Sequence, residues 1–201
     1  MTNLTDAIQN RRTYYYLSEE THISHDKIIE LVEIALKHTP TAFNMQSGRL
    51  VILFGKHNKK LWDHTLTVLK DIVPTEQLPD TEDKINRFKT THGTVLFFED
   101  IETIHTYQNK YPLYRDQFET WAQQSNGMLQ SNIWMLLEDS GLGASLQHYN
   151  PLIDEGVHQF WNISKNWQLV AQMPFVIPVM PADKKSFLPI KNRIKIFEDK
   201  E

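Results

Sequence analysis

The spacing of apolar and polar positions along the chain predicts alternating helices and strands. Across His25–His38 apolar residues recur every three or four positions, Ser24 stands where an N-cap is expected, and Pro40 ends the helix. The continuous apolar runs Leu50–Phe54 and Thr94–Phe98 instead predict strands that are buried on both faces. The same reasoning predicts further helices at Thr2–Gln9, Asn58–Val73, Asp80–Lys89 and Tyr114–Asp139, and further strands at Ala144–Leu146 and Trp167–Ile177.

The last of these helices has an unusual apolar distribution. Between Met128 and Leu137 it is apolar on most sides, which predicts a place in a core or in a subunit interface, and Gly141 then breaks it. Helices flank at least three strands whose connections are long. The sequence therefore predicts an α+β fold with a mixed sheet flanked by helices. Because the 201 residues contain no repeat and no Pro/Gly-rich linker, we expect one domain over 1–201.

The amino-acid composition excludes several classes of protein function. The hydrophobic content of 40% and charged content of 23% are those of an ordinary globular protein. A net charge of −4 without a basic block argues against nucleic acid as a partner. The absence of cysteine excludes disulfides, thiolate nucleophiles and zinc–thiolate sites. The N-terminus has no apolar signal-like stretch and no apolar run could span a bilayer, so we expect a cytoplasmic protein with no membrane contact.

Several common catalytic and cofactor motifs do not occur. The chain has no G-x-G-x-x-G and no Walker A sequence, so side chains would have to hold any nucleotide cofactor. It has no H-E-x-x-H, and the close pair His22 and His25 has no carboxylate or thiol beside it, so we expect no metal site. The absence of G-x-S-x-G makes a serine hydrolase an unattractive interpretation.

Two clusters of cations are candidate anion sites. Arg11 and Arg12, followed by Thr13, suit a phosphate, because guanidinium groups bind two oxygens at once and the hydroxyl adds a donor. Lys191 and Arg193, two positions apart, would point the same way in an extended segment and could grip an anion together. Taken alone, a solvated pair at a helix end and an exposed basic patch are the commoner interpretations of these two clusters.

Two further segments suit a flat ring. Asn44 and Gln46, between the capped helix and the first strand, offer paired donors and acceptors to a heterocycle or to sugar hydroxyls. A turn in which they bond only the local backbone explains them equally well. In Gly141–Pro151 small residues would let a flat ligand approach backbone N–H groups, while His148 and Tyr149 could cover a ring. A helix end followed by a strand and a turn is an even alternative there.

Together these segments resemble the FMN-dependent nitroreductase family, and most closely its short branch of fatty-acid-responsive and copper-induced oxidoreductases. The resemblance covers nearly the whole chain in the right order, and the segment 126–154 is its most specific part. The motifs that carry it are RRTYYYLSEE (11–20), HTPTAFNMQSGRLVILFG (38–55), GTVLFFED (93–100), QSNGMLQSNIWMLLEDSGLGASLQHYNPLID (124–154), WQLVAQMPFVIP (167–178) and FLPIKNRIKIF (187–197).

The resemblance implies a fold, a cofactor and an activity. The fold would be α+β, and two subunits would form a homodimer around the long apolar helix, with two FMN molecules at their interface. The activity would be electron transfer from NAD(P)H to small-molecule acceptors, nitroaromatic or quinone-type, by a ping-pong mechanism. No catalytic side chain is implied, because the chemistry takes place at N5 of the FMN.

The resemblance also assigns cofactor-binding roles to three groups of residues. One group would hold the FMN phosphate: Arg11, Thr13, Lys191 and Arg193, with Arg12 of the same motif contributing backbone contacts more than its charge. A second group would reach the ring and ribityl chain from the opposite subunit: Pro40, Thr41, Asn44 and Gln46. The third would lie along the ring, with a backbone N–H facing N5: Leu146, Gln147, His148 and Tyr149.

Two departures from the family pattern leave an alternative open. Many relatives have Lys near the position of Tyr15 and an acidic residue at the position of His148, so the charge around the flavin differs here. A flavin-binding regulator or sensor of stress or lipid response, with little turnover, is therefore the main rival. An α+β binding protein that has lost flavin is a third interpretation, and the retained basic and amide residues of the motifs argue against it.

Overall fold

The computed structural model describes residues 3–15 and 22–198, and it confirms the α+β class. Its four strands form one sheet in the order β1-β2-β4-β3, with every neighbouring pair antiparallel. Among the described residues, the one parallel pairing is an isolated bridge between Thr13 and Ala144. The strands are β1 (Gly48–Phe54), β2 (Gly93–Asp100), β3 (Gly143–Ala144) and β4 (Trp167–Val176).

Seven α-helices are present in the described part of the chain. They are α1 (Leu4–Asn10), α2 (His25–His38), α3 (Gly55–Lys70), α4 (Leu78–Lys89), α5 (Ile101–Lys110), α6 (Phe118–Asp139) and α7 (Asp154–Trp161). Short 3₁₀ turns occupy Ala42–Asn44, Thr75–Gln77, Pro112–Gln117 and Ile190–Asn192. The bounds of α2 agree with the prediction, and the Ser24 hydroxyl caps it by accepting from the Lys27 N–H. No helix in these ranges is long and apolar enough to cross a membrane.

The core consists of two layers that sandwich the central strand β2. Successive side chains of a strand point to opposite faces, so Val95 and Phe97 pack against α2 and α6, while Leu96 and Phe98 pack against α3 and α4. All of these side chains are fully buried, which confirms the buried strand predicted at Thr94–Phe98. The helix α6 lies in the first layer and contributes Leu129, Ile133 and Leu137 to it.

Several sequence predictions need correction. The strand predicted at Leu50–Phe54 is not buried on both faces, because β1 is an edge strand and only Leu53 in it is buried. The long helix begins at Phe118 rather than Tyr114, since Pro112–Gln117 forms a 3₁₀ turn instead. Helices α5 and α7 were not predicted, and each buries only two residues, which is too few for a clear apolar stripe.

The first predicted helix lies partly outside the described residues, because Thr2 is not among them. Within α1 only Ala7 is buried, while Leu4 and Ile8, predicted on the same apolar face, remain mostly exposed. Leu36 of the α2 stripe is also exposed. The apolar faces of α1 and α2 are therefore only partly covered within one chain.

A buried amide ties α3 to the start of β2. Asn58 is fully buried, and its Nδ2 donates to the backbone carbonyls of Phe88 and Thr91 at 3.2 and 3.1 Å. Its Oδ1 accepts from Trp62 Nε1 at 3.2 Å and from Thr94 Oγ1 at 2.6 Å. Buried polar groups are costly unless paired, so this amide fixes how α3 and α4 pack beneath the sheet.

Replacing this amide should destabilise the fold. Asn58→Leu keeps the branched shape of the side chain but removes the donor to the buried Thr91 carbonyl and the acceptor of the buried Thr94 hydroxyl, and we expect the free energy of unfolding to fall by about 3 kcal/mol. Urea denaturation followed by circular dichroism measures the change. Thr67→Ala removes an exposed hydroxyl from the same helix and should shift the free energy by no more than about 0.5 kcal/mol. Equal losses in both variants would contradict the role of Asn58.

Candidate functional site

The loop between α2 and β1 has a strained backbone. Phe43, Asn44 and Gln46 have φ values of 54°, 54° and 53°, in the left-handed region that side chains other than Gly and Asn rarely adopt. The Thr41 hydroxyl accepts from the Gln46 N–H at 3.0 Å, and the Arg49 guanidinium holds the Gln46 carbonyl at 2.7 Å. Strain of this kind is typical of binding loops whose surroundings hold them in place.

An aromatic cluster stands beside this loop. The ring centroid of Phe43 lies 4.5 Å from that of Tyr111 and 6.0 Å from that of Trp121. The Phe43 ring is still 45% exposed, and Pro40 and Met128 line a cavity of 310 Å³ next to it. The side chains of Asn44 and Gln46 are exposed on the same loop. The Gln46 Nε2 already donates to the Asn44 carbonyl at 3.3 Å, so the loop offers a flat ligand an aromatic surface and the exposed amide of Asn44.

Arg11 lies beside the C-terminal part of α6, whereas the aromatic cluster of the loop lies beside its N-terminal part. The guanidinium carbon of Arg11 is 4.5 Å from the ring centroid of Trp134, and no carboxylate in the described residues forms an ion pair with it. Burial raises the pKa of the neighbouring Glu138 carboxyl, and the charge of Arg11 opposes this. Because Arg11 forms no ion pair with a described carboxylate, its guanidinium donors are available to an external anion.

Thr13, which follows the two arginines in the chain, pairs with the edge of the sheet. It forms the parallel bridge with Ala144, and the Tyr14 N–H donates to the Ala144 carbonyl at 3.1 Å. A Cβ at Gly143 would lie 2.8 Å from Cδ2 of Tyr14, so the small residue is required for this close approach. The Gly141–Pro151 segment thus brings its small residues against the backbone of the Arg11–Thr13 motif.

The segment after β3 presents a free backbone edge. The N–H groups of Ser145, Gln147 and Tyr149 donate to acceptors on β4 at distances of 3.1, 2.7 and 2.8 Å. Because successive N–H groups of extended chain point to opposite sides, those of Leu146 and His148 point away from β4. Neither finds an acceptor among the described residues. These two N–H groups are available to a ligand on the outer side.

The side chains of this segment divide between two sides. Gln147 is buried and its Nε2 donates to Ser145 Oγ at 2.6 Å, so its amide faces the interior. The Tyr149 ring packs edge-on against Trp62 at 5.9 Å, and burial raises the pKa of its hydroxyl to about 12. The side chain of His148 is exposed. Of the two side chains expected to cover a ring, His148 is therefore the better placed.

The C-terminal cations lie on a turn. Lys191 belongs to the 3₁₀ turn Ile190–Asn192 and Arg193 follows it, and both side chains are exposed. The prediction of an extended segment here is therefore wrong. The two cations are not aligned by the alternation of side chains along a strand. Arg12 contacts the C-terminal segment as well, since its Nη2 donates a hydrogen bond to the Asp183 carbonyl.

The predicted residues form two groups that a single chain does not bring together. Arg11, Thr13 and the 146–149 segment form one group, in which Arg11 lies against Trp134 and His148 lines a cavity with Gly127 and Gln130 of α6. The Pro40–Gln46 loop forms the other group, in which Phe43 lies near Trp121. These two tryptophans are about 20 Å apart along α6, since a helix rises about 1.5 Å per residue. We call the two groups the arginine half-site and the loop half-site.

Sequence reasoning did not single out Trp134 or Phe43, although each has the closest ring contact in its half-site. Phe43 could have been noticed, because a large apolar residue between polar neighbours in a loop is unusual. Trp134 gave no such signal, since it resembles any other apolar residue of α6. No cluster of three or more potential metal ligands occurs among residues 3–15 and 22–198.

The α+β fold thus presents an arginine without a described carboxylate partner, a free backbone edge and an aromatic loop. The chain belongs to the nitroreductase family, whose model matches residues 8–175. It is 32% identical over 197 residues to the nitroreductase FRM2 of Saccharomyces cerevisiae, covering 97% of each chain.

Solved structures give the same result. Nitroreductase CinD from Lactococcus lactis, in complex with chloramphenicol, superposes with a TM-score of 0.90 at 38% identity, over 98% of this chain and 100% of that one. A nitroreductase structure from Saccharomyces cerevisiae superposes with a TM-score of 0.76 at 33% identity, over 88% and 97% of the two chains. A protein from Exiguobacterium sibiricum, solved in complex with FMN, has the same fold at 14% identity and a TM-score of 0.73.

Proposed function

We propose that this protein is an FMN-dependent oxidoreductase that passes electrons from NAD(P)H to nitroaromatic or quinone-type acceptors, and that it works as a homodimer. The observation that carries the proposal is the pair of half-sites at the two ends of α6. Each half-site offers part of what a flavin mononucleotide needs, and neither is sufficient alone. The family membership supports the oxidoreductase class.

The residues of the arginine half-site fit FMN. The unpaired guanidinium of Arg11 and the hydroxyl of Thr13 suit a phosphate, and the exposed cations Lys191 and Arg193 could close on it from the tail. The outward N–H of His148 suits N5 of the isoalloxazine ring. In this assignment Gln147 and Tyr149 support the segment from behind rather than contact the ring.

Two-fold pairing of α6 would join the half-sites. Midway between Trp121 and Trp134 stand Gly127 and Met128, both on the exposed side of the helix. A Cβ built at Gly127 meets nothing within 4 Å in its own chain, so a second helix can approach closely there. An antiparallel crossing at this point would place the loop half-site of one subunit beside the arginine half-site of the other.

The protein's own groups would bind and orient. Bound FMN supplies the redox chemistry, taking hydride from NAD(P)H and returning it to an acceptor in a ping-pong sequence. The N–H of His148 would hold the ring edge, and Asn44 and Gln46 of the other subunit would bond the polar ring atoms and the ribityl chain. The exposed Phe43 ring would stack on aromatic acceptors, and CinD has been solved with 4-nitrophenol as well as chloramphenicol.

Flavin content and turnover test this proposal together. We expect the purified protein to show flavin absorbance at about one FMN per chain and to oxidise NAD(P)H when a nitroaromatic acceptor is added. Arg11→Ala and Arg193→Ala should each weaken FMN retention about tenfold, because each removes a charge-assisted phosphate contact. Lys56→Ala, an exposed cation of α3, serves as the control. A protein that binds FMN yet gives no turnover with any acceptor would favour the sensor, and one that never binds FMN would refute the proposal.

The subunit contact has its own test. Gly127→Arg should convert the dimer to a monomer and lose FMN, because the Cβ at this position has open space and the long charged side chain would project into the helix crossing. Gly127→Ala should keep both the dimer and the flavin, and should gain about 0.5–1 kcal/mol of helix stability. Analytical ultracentrifugation and flavin absorbance report the two properties. A Gly127→Arg variant that remains a flavin-loaded dimer would exclude this crossing.

A further inference from the structure

Lys84 is a half-buried cation on the side of α4 that meets the segment after β3. Its Nζ lies 5.8 Å from the ring centroid of Tyr149 and 5.8 Å from that of Phe88. Tyr149 follows directly after His148, whose outward N–H we assign to N5 of the flavin. Lys84 therefore reaches the cofactor segment from a helix to which the proposed function gives no role.

No carboxylate in residues 3–15 and 22–198 forms an ion pair with Lys84. Asp80 stands one helical turn earlier, a common position for a partner, yet it is not within 4.0 Å of the ammonium. The other lysine of α4, Lys89, is paired with Asp63. Burial lowers the pKa of the Lys84 ammonium, which is the effect expected for a cation that has lost water without gaining an anion.

The aromatic neighbours of Lys84 do not supply the missing negative charge. Burial, with a smaller effect of the nearby Tyr15, raises the pKa of the Tyr149 hydroxyl to about 12, so this phenol stays neutral near pH 7. A distance of 5.8 Å to each ring is close to the outer limit for cation–π attraction. The charge of Lys84 is therefore available to an external anion.

Tyr15 stands beside the same Tyr149 ring. The bridge between Thr13 and Ala144 places the chain that leads to Tyr15 along the cofactor segment, and the effect of Tyr15 on the Tyr149 hydroxyl requires the two side chains to be close. Many relatives have a lysine near the position of Tyr15, and a tyrosine carries no positive charge there. Lys84 brings a cation from α4 to the ring that Tyr15 borders.

Building on the proposed function, we propose that Lys84 supplies the positive charge beside the pyrimidine end of bound FMN, in place of the lysine that relatives carry near the position of Tyr15. Hydride from NAD(P)H brings one proton and two electrons to N5, which leaves the flavin with a negative charge shared by N1 and O2. A half-buried ammonium stabilises such a charge through space, because little water screens it and no contact with the ring is needed. Lys84 thus sets the reduction potential.

The reduction potential of bound FMN measures this charge directly. The FMN-loaded parent and variants are reduced without oxygen in the presence of a reference dye. Lys84→Met keeps an unbranched apolar side chain but removes the charge, and it should lower the ratio of reduced to oxidised flavin about tenfold, a shift of about −30 mV for a two-electron couple. Lys84→Arg keeps the charge and should change the ratio less than about threefold.

Sulfite gives a second readout that needs no electron donor. It forms one S–N bond at N5 without a net exchange of electrons, bleaches the flavin absorbance and leaves a negative charge at N1 and O2. Lys84→Met should weaken the Kd for sulfite about tenfold. Lys59→Met removes an exposed lysine of α3 and should leave both the Kd and the reduction potential at the parent values.

A second-site variant separates charge from structure. Tyr15→Lys places a cation on the other border of Tyr149, so it should restore both values in the Lys84→Met background, which a purely structural role for Lys84 would not allow. Lys84→Gln provides the same test if Lys84→Met does not fold. FMN-loaded Lys84→Met with the parent potential and sulfite affinity would overturn the role of Lys84 and leave the oxidoreductase proposal standing. So would equal shifts in Lys59→Met, whereas a chain that never binds FMN would refute both.

Discussion

The structure depends on the two-sided packing of α6. One side of the helix supplies Leu129, Ile133 and Leu137 to the layer beneath β2, and this burial fixes its position on the sheet. Gly127 lies open on another side, and Trp121 and Trp134 stand towards opposite ends of the helix. Because Phe43 contacts the first tryptophan and Arg11 the second, the rigid helix sets the separation of these two residues. The shared site that we propose between two subunits is based on this separation.

The sheet makes a second contribution to the site. Pairing with β4 uses the N–H groups of Ser145, Gln147 and Tyr149, and this necessarily turns those of Leu146 and His148 outward. A backbone edge of this kind needs no particular side chain to bind a ring, which explains why the sequence contains no convincing catalytic dyad. The side chains around this backbone edge determine the electrostatic charge near a bound ring.

The sequence predicts the fold better than it predicts the site. Strong periodic signals, such as the α2 stripe and the buried run of β2, appear in the structure nearly as predicted. The helices α5 and α7 were not predicted, because their apolar stripes are weak. The burial of β1 was predicted wrongly, because an apolar run does not reveal whether a strand lies at the edge of a sheet.

For the site, the motifs indicate candidate segments but not the direction of each side chain. The Gln147 amide faces the interior, where its Nε2 donates to Ser145 Oγ, and a turn at Lys191 replaces an extended segment. Neither outcome is evident from the local sequence. The measurement that tests the shared site most directly is the FMN content of a purified heterodimer of an Arg11→Ala chain and an Asn44→Ala chain. A shared site predicts that the heterodimer keeps one intact site and retains one FMN, while each variant homodimer loses its flavin. A heterodimer as depleted as the two homodimers would show that each chain binds FMN alone and would contradict the account.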